Sequence, residues 1–167
     1  MRTHGEFRIR VKKDYTVFSS AHFITFAGHR CESLHGHNYR VGVALDGAID
    51  EDGWYVLDFS LVKKLMRQLC DEIDHKVLLP LENPKLGIVT KDDAVLVDYQ
   101  GKQRYVFPAR DCALLPIPNT TVEMLARHLA RRLITELGTA KVAHLTALEV
   151  EVEESFGQSA TYRETLA

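Results

Sequence analysis

The sequence predicts an α+β chain in which helices lie on one face of an antiparallel sheet. Extended runs with apolar residues at period two open and close the chain, and two segments between them carry apolar residues at helical spacing. The order is therefore strands, helix, hairpin insert, helix, strand. A length of 167 residues fits one domain, 1–167.

The first strand is Phe7 to Val11, where Phe7, Ile9 and Val11 alternate with Arg8 and Arg10. Thr16 to Ile24 continues extended with Phe18, His22 and Ile24 in one phase, and the change of phase places a bulge near Asp14. Gly28 to Ser33 reads as loop, with His29 solvated. Asn38 to Leu45 is the next strand, with Tyr39, Val41, Val43 and Leu45 on one face. Asp46-Gly47 ends it, and Asp52-Gly53 turns the chain into a short strand, Trp54 to Leu57.

Val62, Leu65, Met66, Leu69, Cys70 and Ile73 share one face of a helix over Ser60 to Ile73, with Asp58 or Ser60 as cap. The second helix, Thr121 to Leu137, has a similar apolar stripe, Gly138 at its end, and Thr120 and Glu123 at the spacing of a capping box. The insert between the helices, 80–119, is too long for a bare loop, and its Ala94 to Phe107 reads as a hairpin turning at Gln100-Gly101. The last strand is Ala147 to Glu153.

Composition excludes several classes. A formal net charge of -2 gives no basic field for nucleic acid. No apolar run reaches the roughly 18 residues of a membrane span, and Met1 to Glu6 carries no signal-peptide pattern. Three widely spaced cysteines, Cys31, Cys70 and Cys112, point to a reducing cytoplasm rather than a disulfide framework. His128, beside Arg127 and Arg131, reads as part of a solvated helix face.

The sharpest local signal is His35-Gly36-His37 entering a strand. Residues two apart face the same way, so both imidazoles can share a metal, and the glycine admits a close neighbour. His22, in phase with Phe18, completes the set if its segment pairs alongside. Three neutral imidazoles with an open fourth position describe a catalytic zinc site. Cys31 admits three readings: a fourth ligand that closes the site, a thiolate base, or an inert thiol. Asp74-His75 is either an oriented acid–base pair or a helix-terminal histidine.

In the last strand Leu148, Val150 and Val152 alternate with Glu149, Glu151 and Glu153, which face water. Glu154 falls in the phase of the valines. Either it is exposed beyond the strand end, or it enters a pocket and needs donors such as a guanidine-like ligand edge.

Together Ser20-Ala21-His22, Cys31 through Tyr39, Asp52-Gly53-Trp54 through Leu57-Asp58-Phe59, Ile73-Asp74-His75, Asn119 through Glu123, and Glu154 through Tyr162 resemble the 6-pyruvoyl- and 6-carboxytetrahydropterin synthases. The resemblance implies the tunnelling fold and a homo-hexamer with sites between subunits. It implies catalytic Zn2+ on His22, His35 and His37, and a proton-abstracting thiolate at Cys31. It implies a second acid–base group at His75 oriented by Asp74, and a pterin anchor at Glu154, with Thr121 and Glu123 near the pterin. The substrate implied is 7,8-dihydroneopterin triphosphate. The Cys-x-x-x-His-Gly-His spacing looks like the bacterial carboxy-forming enzymes that supply queuosine and other 7-deazapurines, with the pyruvoyl-forming enzymes, or a non-catalytic zinc or pterin module, as alternatives. The insert and Thr120, where the family usually has proline, depart from the pattern.

Overall fold

In-phase apolar residues along Tyr39, Val41, Val43 and Leu45 build the centre of the molecule. All four are buried, on the strand that lies at the middle of the main sheet. The computed structural model describes residues 5–28, 30–138, 141 and 143–166, so the expectation for His29 falls outside the described residues. The central strand is β2 (His35–Gly47), paired antiparallel with β1 (Phe7–His22) and β8 (Leu145–Ser155). The β1–β2 register shifts between Val11 and Thr16, where the phase change places a bulge.

The six-stranded order is β7-β3-β1-β2-β8-β9, with β3 (Lys76–Pro80), β7 (Cys112–Leu115) and β9 (Gln158–Thr165). The β1–β3 and β3–β7 pairs are parallel, so the sheet is mixed at that edge. Both parallel strands are short apolar runs, β3 ending where the 80–119 insert begins and β7 lying within it, without the alternation that marks a half-exposed strand. Two helices, α1 (Phe59–Asp71) and α2 (Val122–Leu137), share one core with the sheet. Asp58 caps α1 by accepting the Ser60 N–H at 2.8 Å. Val62, Met66, Leu69 and Cys70 form its buried stripe.

Several expectations shift by one element. Trp54 to Leu57 is not a strand; Trp54 has φ 57 and is exposed. The cap of α2 is Thr121, whose hydroxyl accepts from the Met124 N–H, so Thr120 and Glu123 form no capping box. His128 is half-buried, not solvated, and burial lowers its pKa. The chain continues past Glu153 into a turn at Gly157 and a further strand.

The glutamates of β8 do not all face water. Glu153 is buried, 3.3 Å from the Lys13 ammonium and accepting the Gly157 N–H. Glu149 joins Arg8, Asp46 and Arg163 in a four-residue ion network across β1, β2, β8 and β9. The Arg8 guanidinium, followed by Arg163, holds the Asp46 carboxyl at about 2.

The insert forms a separate antiparallel sheet of β4 (Leu86–Lys91), β5 (Ala94–Tyr99) and β6 (Lys102–Pro108). The expected hairpin is β5–β6. Its turn residues Gln100 and Gly101 have φ 52 and 72, the doubly positive pattern of a tight hairpin. A second apolar cluster joins Val95 and Val97 of this sheet to Phe23 and Leu79. This places the insert over the loop between β1 and β2.

Candidate metal centre

His22 ends β1, and His35 and His37 begin β2. The register sets His22 opposite His35 and Ser20 opposite His37. The three imidazoles therefore gather on the face that carries the stacked rings of Phe18 and Tyr39. Their centroids lie 4.7 to 5.3 Å apart. One ligand atom from each lies within 4.8 Å of the others.

Backbone carbonyls fix two of the rings. His22 Nδ1–H donates to the Thr120 carbonyl at 2.9 Å, and His35 Nδ1–H to the Ser33 carbonyl at 2.9 Å. A carbonyl only accepts, so in both rings Nε2 keeps its lone pair. The Nε2 atoms of His22 and His37 are buried and make no hydrogen bond. Desolvation pushes the His22 pKa down, which keeps the ring neutral. Nε2 lone pairs on His22 and His35, beside a buried and unpartnered Nε2 on His37, fit a divalent ion such as zinc. Thr120 was missed as a site residue in the sequence. It is fully buried, and its hydroxyl donates to the Phe23 carbonyl at 3.0 Å, which holds its own carbonyl in place for His22.

Glu154 does enter a pocket. Its Oε1 is 3.2 Å from His22 Nε2 and 3.5 Å from His37 Nε2, in a geometry that makes no hydrogen bond to either. It borders a cavity of ≈ 330 Å³ that His37, Arg40 and Phe156 also line. Gly36 admits a close strand neighbour, since a Cβ there would lie 3.2 Å from the Ser20 carbonyl oxygen, and it also lines the cavity beside Glu154.

Cys31 is not part of the cluster. Its thiol donates to the Glu32 carbonyl at 3.6 Å, and the residue packs against the cluster of Phe23, Leu79, Val95 and Val97. Burial pushes this thiol up, with Arg104 opposing. The adjacent Glu32 was passed over in the sequence. Its Oε2 lies 3.8 Å from His35 Nε2 and accepts the Ile24 N–H at 3.3 Å. The signal available was a carboxylate three residues before the His-Gly-His pair.

Asp74 and His75 form the expected pair, Oδ2 to Nδ1 at 2.8 Å. The Ser19 N–H, 2.7 Å from Asp74 Oδ1, holds that carboxyl below its ordinary range. The His75 side chain is 81% exposed, and no described hydrogen bond or ion pair joins it to the three histidines. Thr121 is occupied as a cap and Glu123 is exposed in the first turn of α2. Neither contacts the histidines through a described hydrogen bond.

A profile described as 6-pyruvoyl tetrahydropterin synthase matches residues 10–165. A Methanocaldococcus jannaschii protein, named provisionally as a 6-carboxy-5,6,7,8-tetrahydropterin synthase, is 38% identical over 89% of this chain and 90% of its own. A Rickettsia conorii protein named 6-carboxy-5,6,7,8-tetrahydropterin synthase is 25% identical over 80% of this chain and 86% of its own. The crystal structure of 6-pyruvoyl tetrahydropterin synthase from Plasmodium vivax superposes with a TM-score of 0.90 at 33% identity, over 98% of this chain and 100% of that one. The fold is the expected tunnelling fold, and the chain belongs to the 6-pyruvoyl tetrahydropterin synthase family.

Proposed function

We propose that this chain is a zinc-dependent lyase that converts 7,8-dihydroneopterin triphosphate to 6-carboxytetrahydropterin, releasing triphosphate and acetaldehyde, on the route to queuosine and related 7-deazapurines. The observation that carries this reading is the triad of His22, His35 and His37, with two unpartnered Nε2 atoms facing a common point. The names of the Methanocaldococcus and Rickettsia relatives support the carboxy product.

His22, His35 and His37 hold the zinc. The ion supplies a Lewis acid that acidifies the side-chain carbons bearing hydroxyls. Glu154 anchors the pterin: its carboxylate matches the two N–H donors of the ring's guanidine-like edge. Thr121 and Glu123 lie near the ring only if the pterin reaches the start of α2.

Two adjacent groups can take the proton, the Cys31 thiol and the Glu32 carboxylate. Glu32 is favoured as the base. Its carboxylate stands 3.8 Å from His35 Nε2, whereas the Cys31 thiol is raised by burial and donates to the Glu32 carbonyl. A further Plasmodium vivax structure, of the enzyme with a catalytic glutamate replaced by alanine, supports a carboxylate in this role.

Asp74 and His75 supply the second proton-transfer group to a neighbouring subunit's site. The exposure of His75 supports this, as do the exposed Phe7, Val17, Trp54 and Tyr55, apolar surface suited to subunit contacts. Membership of the family supports a homo-hexamer as the assembly. Three free thiols fit a reducing cytoplasm, and no helix among the described residues is long and apolar enough to cross a membrane.

The likeness to the Plasmodium vivax structure favours a second reading, the pyruvoyl product. Incubating the zinc-loaded protein with 7,8-dihydroneopterin triphosphate separates the two. Mass spectrometry is expected to find 6-carboxytetrahydropterin with acetaldehyde and triphosphate. A pyruvoyl product moves the chain to the second reading, and bound pterin without turnover makes it a binding module.

A further inference from the structure

The loop from Phe23 to Leu34 carries Cys31 and Glu32 and delivers His35. Its first half is tied down from the two ends of the 80–119 insert. Thr25 accepts the Asn83 amide at 2.8 Å and its carbonyl accepts the Asn119 amide at 3.0 Å. The second half, Glu32 to Leu34, is joined to the first by the Glu32 N–H, which donates to the Ile24 carbonyl at 2.8 Å, and has a further support beyond it. The Tyr105 hydroxyl accepts the Leu34 N–H at 3.2 Å, and Arg104 Nη2 donates to the Glu32 carbonyl at 3.0 Å. Both residues sit on β6, inside the insert. They take hold of the backbone on either side of Ser33, whose carbonyl orients His35.

The insert is built to keep these two groups in place. The Tyr105 ring packs between Phe23, 5.3 Å away, and Phe107, 5.4 Å away. The Arg104 guanidinium lies 5.3 Å from the Tyr105 ring and 5.9 Å from that of Tyr99. Val95 and Val97 lock the sheet onto Phe23 and Leu79 beneath. A rigid apolar base thus carries one acceptor and one donor to a segment of irregular backbone. Such segments move most easily where hydrogen bonds are few and exposed.

We propose that the insert sheet is a clamp on the active-site loop, in which Tyr105 and Arg104 are positioning residues that hold Glu32 to Leu34 so that the Glu32 carboxylate and the His35 ring meet at the metal. The catalytic half of this inference rests on the proposed function. The mechanical half rests on the two hydrogen bonds alone. Neither residue touches the reacting atoms. Ligand geometry at metal sites is set by such outer supports.

Tyr105→Phe tests it, because it removes one oxygen and keeps the ring packing. The zinc-loaded oligomer is followed by amide hydrogen exchange at Leu34, by zinc release to a chelator, and by kcat and KM. Leu34 exchange is expected to accelerate about tenfold and zinc release several-fold, in line with one lost hydrogen bond. The kcat is expected to fall about fivefold with KM within about twofold, because the loop and not the substrate is released. Arg104→Met should act the same way, and Arg104→Lys should recover part of the loss by restoring a donor. Unchanged Leu34 exchange and zinc release in both variants overturn the clamp. So does an acceleration shared equally by Val41 and Val43 of the core strand, which would report general loosening. Exchange and zinc release need no substrate. An unaltered protein that fails to turn over the pterin triphosphate therefore counts against the function and not against the clamp.

Discussion

Replacing His37 with alanine is expected to lower zinc affinity by at least about 100-fold and to remove measurable turnover, because two imidazoles remain where three hold the ion. The fold is expected to survive. His37 sits at the start of β2 with its side chain partly exposed, and the Phe18–Tyr39 stack beneath it is complete without it. The cost in stability should stay within about 1 kcal/mol, as for changes away from the core. His22 is a poorer choice. It is fully buried and carries the bond to Thr120, so its removal also leaves a cavity and an unpaired carbonyl. Metal content after dialysis, read beside a thermal melt, checks the prediction. A His37→Ala protein that keeps a full complement of zinc would show that the ion is held elsewhere.

Glu32→Gln is expected to lower kcat by about 10²- to 10⁴-fold, the usual share of a general base, whereas Cys31→Ala should cost less than about tenfold. The carboxylate lies 3.8 Å from His35 Nε2 and is held there by the Ile24 N–H. The Cys31 thiol donates to the Glu32 carbonyl and its residue packs against the Phe23–Leu79–Val95–Val97 cluster, where desolvation disfavours the ionised form. Zinc content should be unchanged in both variants, since neither side chain belongs to the triad. Single-turnover rates in the two zinc-loaded variants decide between them. The reverse order, with Cys31→Ala inactive and Glu32→Gln near normal, would return the base to the thiolate.

The residues that were legible in the sequence are those whose periodicity and chemistry agree. His35-Gly36-His37 runs on into Tyr39, Val41 and Val43, so the strand that builds the core also aims the ligands. The α1 stripe and the β5–β6 hairpin were readable for the same reason. Glu154 was half legible, because its phase pointed inward but nothing in the strand named its neighbours. Short parallel strands such as Leu78-Leu79 and Ala113-Leu114 escaped, since a brief apolar run has no period to measure. Thr120 escaped because its contribution is a backbone carbonyl, which any residue type supplies. Glu153 misled for another reason: Lys13 comes from far along the chain and covers it. The hold of Tyr105 and Arg104 on the loop depends on contacts between segments about seventy residues apart, and no local pattern encodes it.

The most direct test of the metal-centred account is to strip the protein with a chelator, return zinc in steps, and follow triphosphate release from 7,8-dihydroneopterin triphosphate against bound metal. Negligible release is expected from the stripped protein, with a rate that rises in proportion to bound zinc and saturates near about one ion per chain. Release that proceeds undiminished without metal would contradict it.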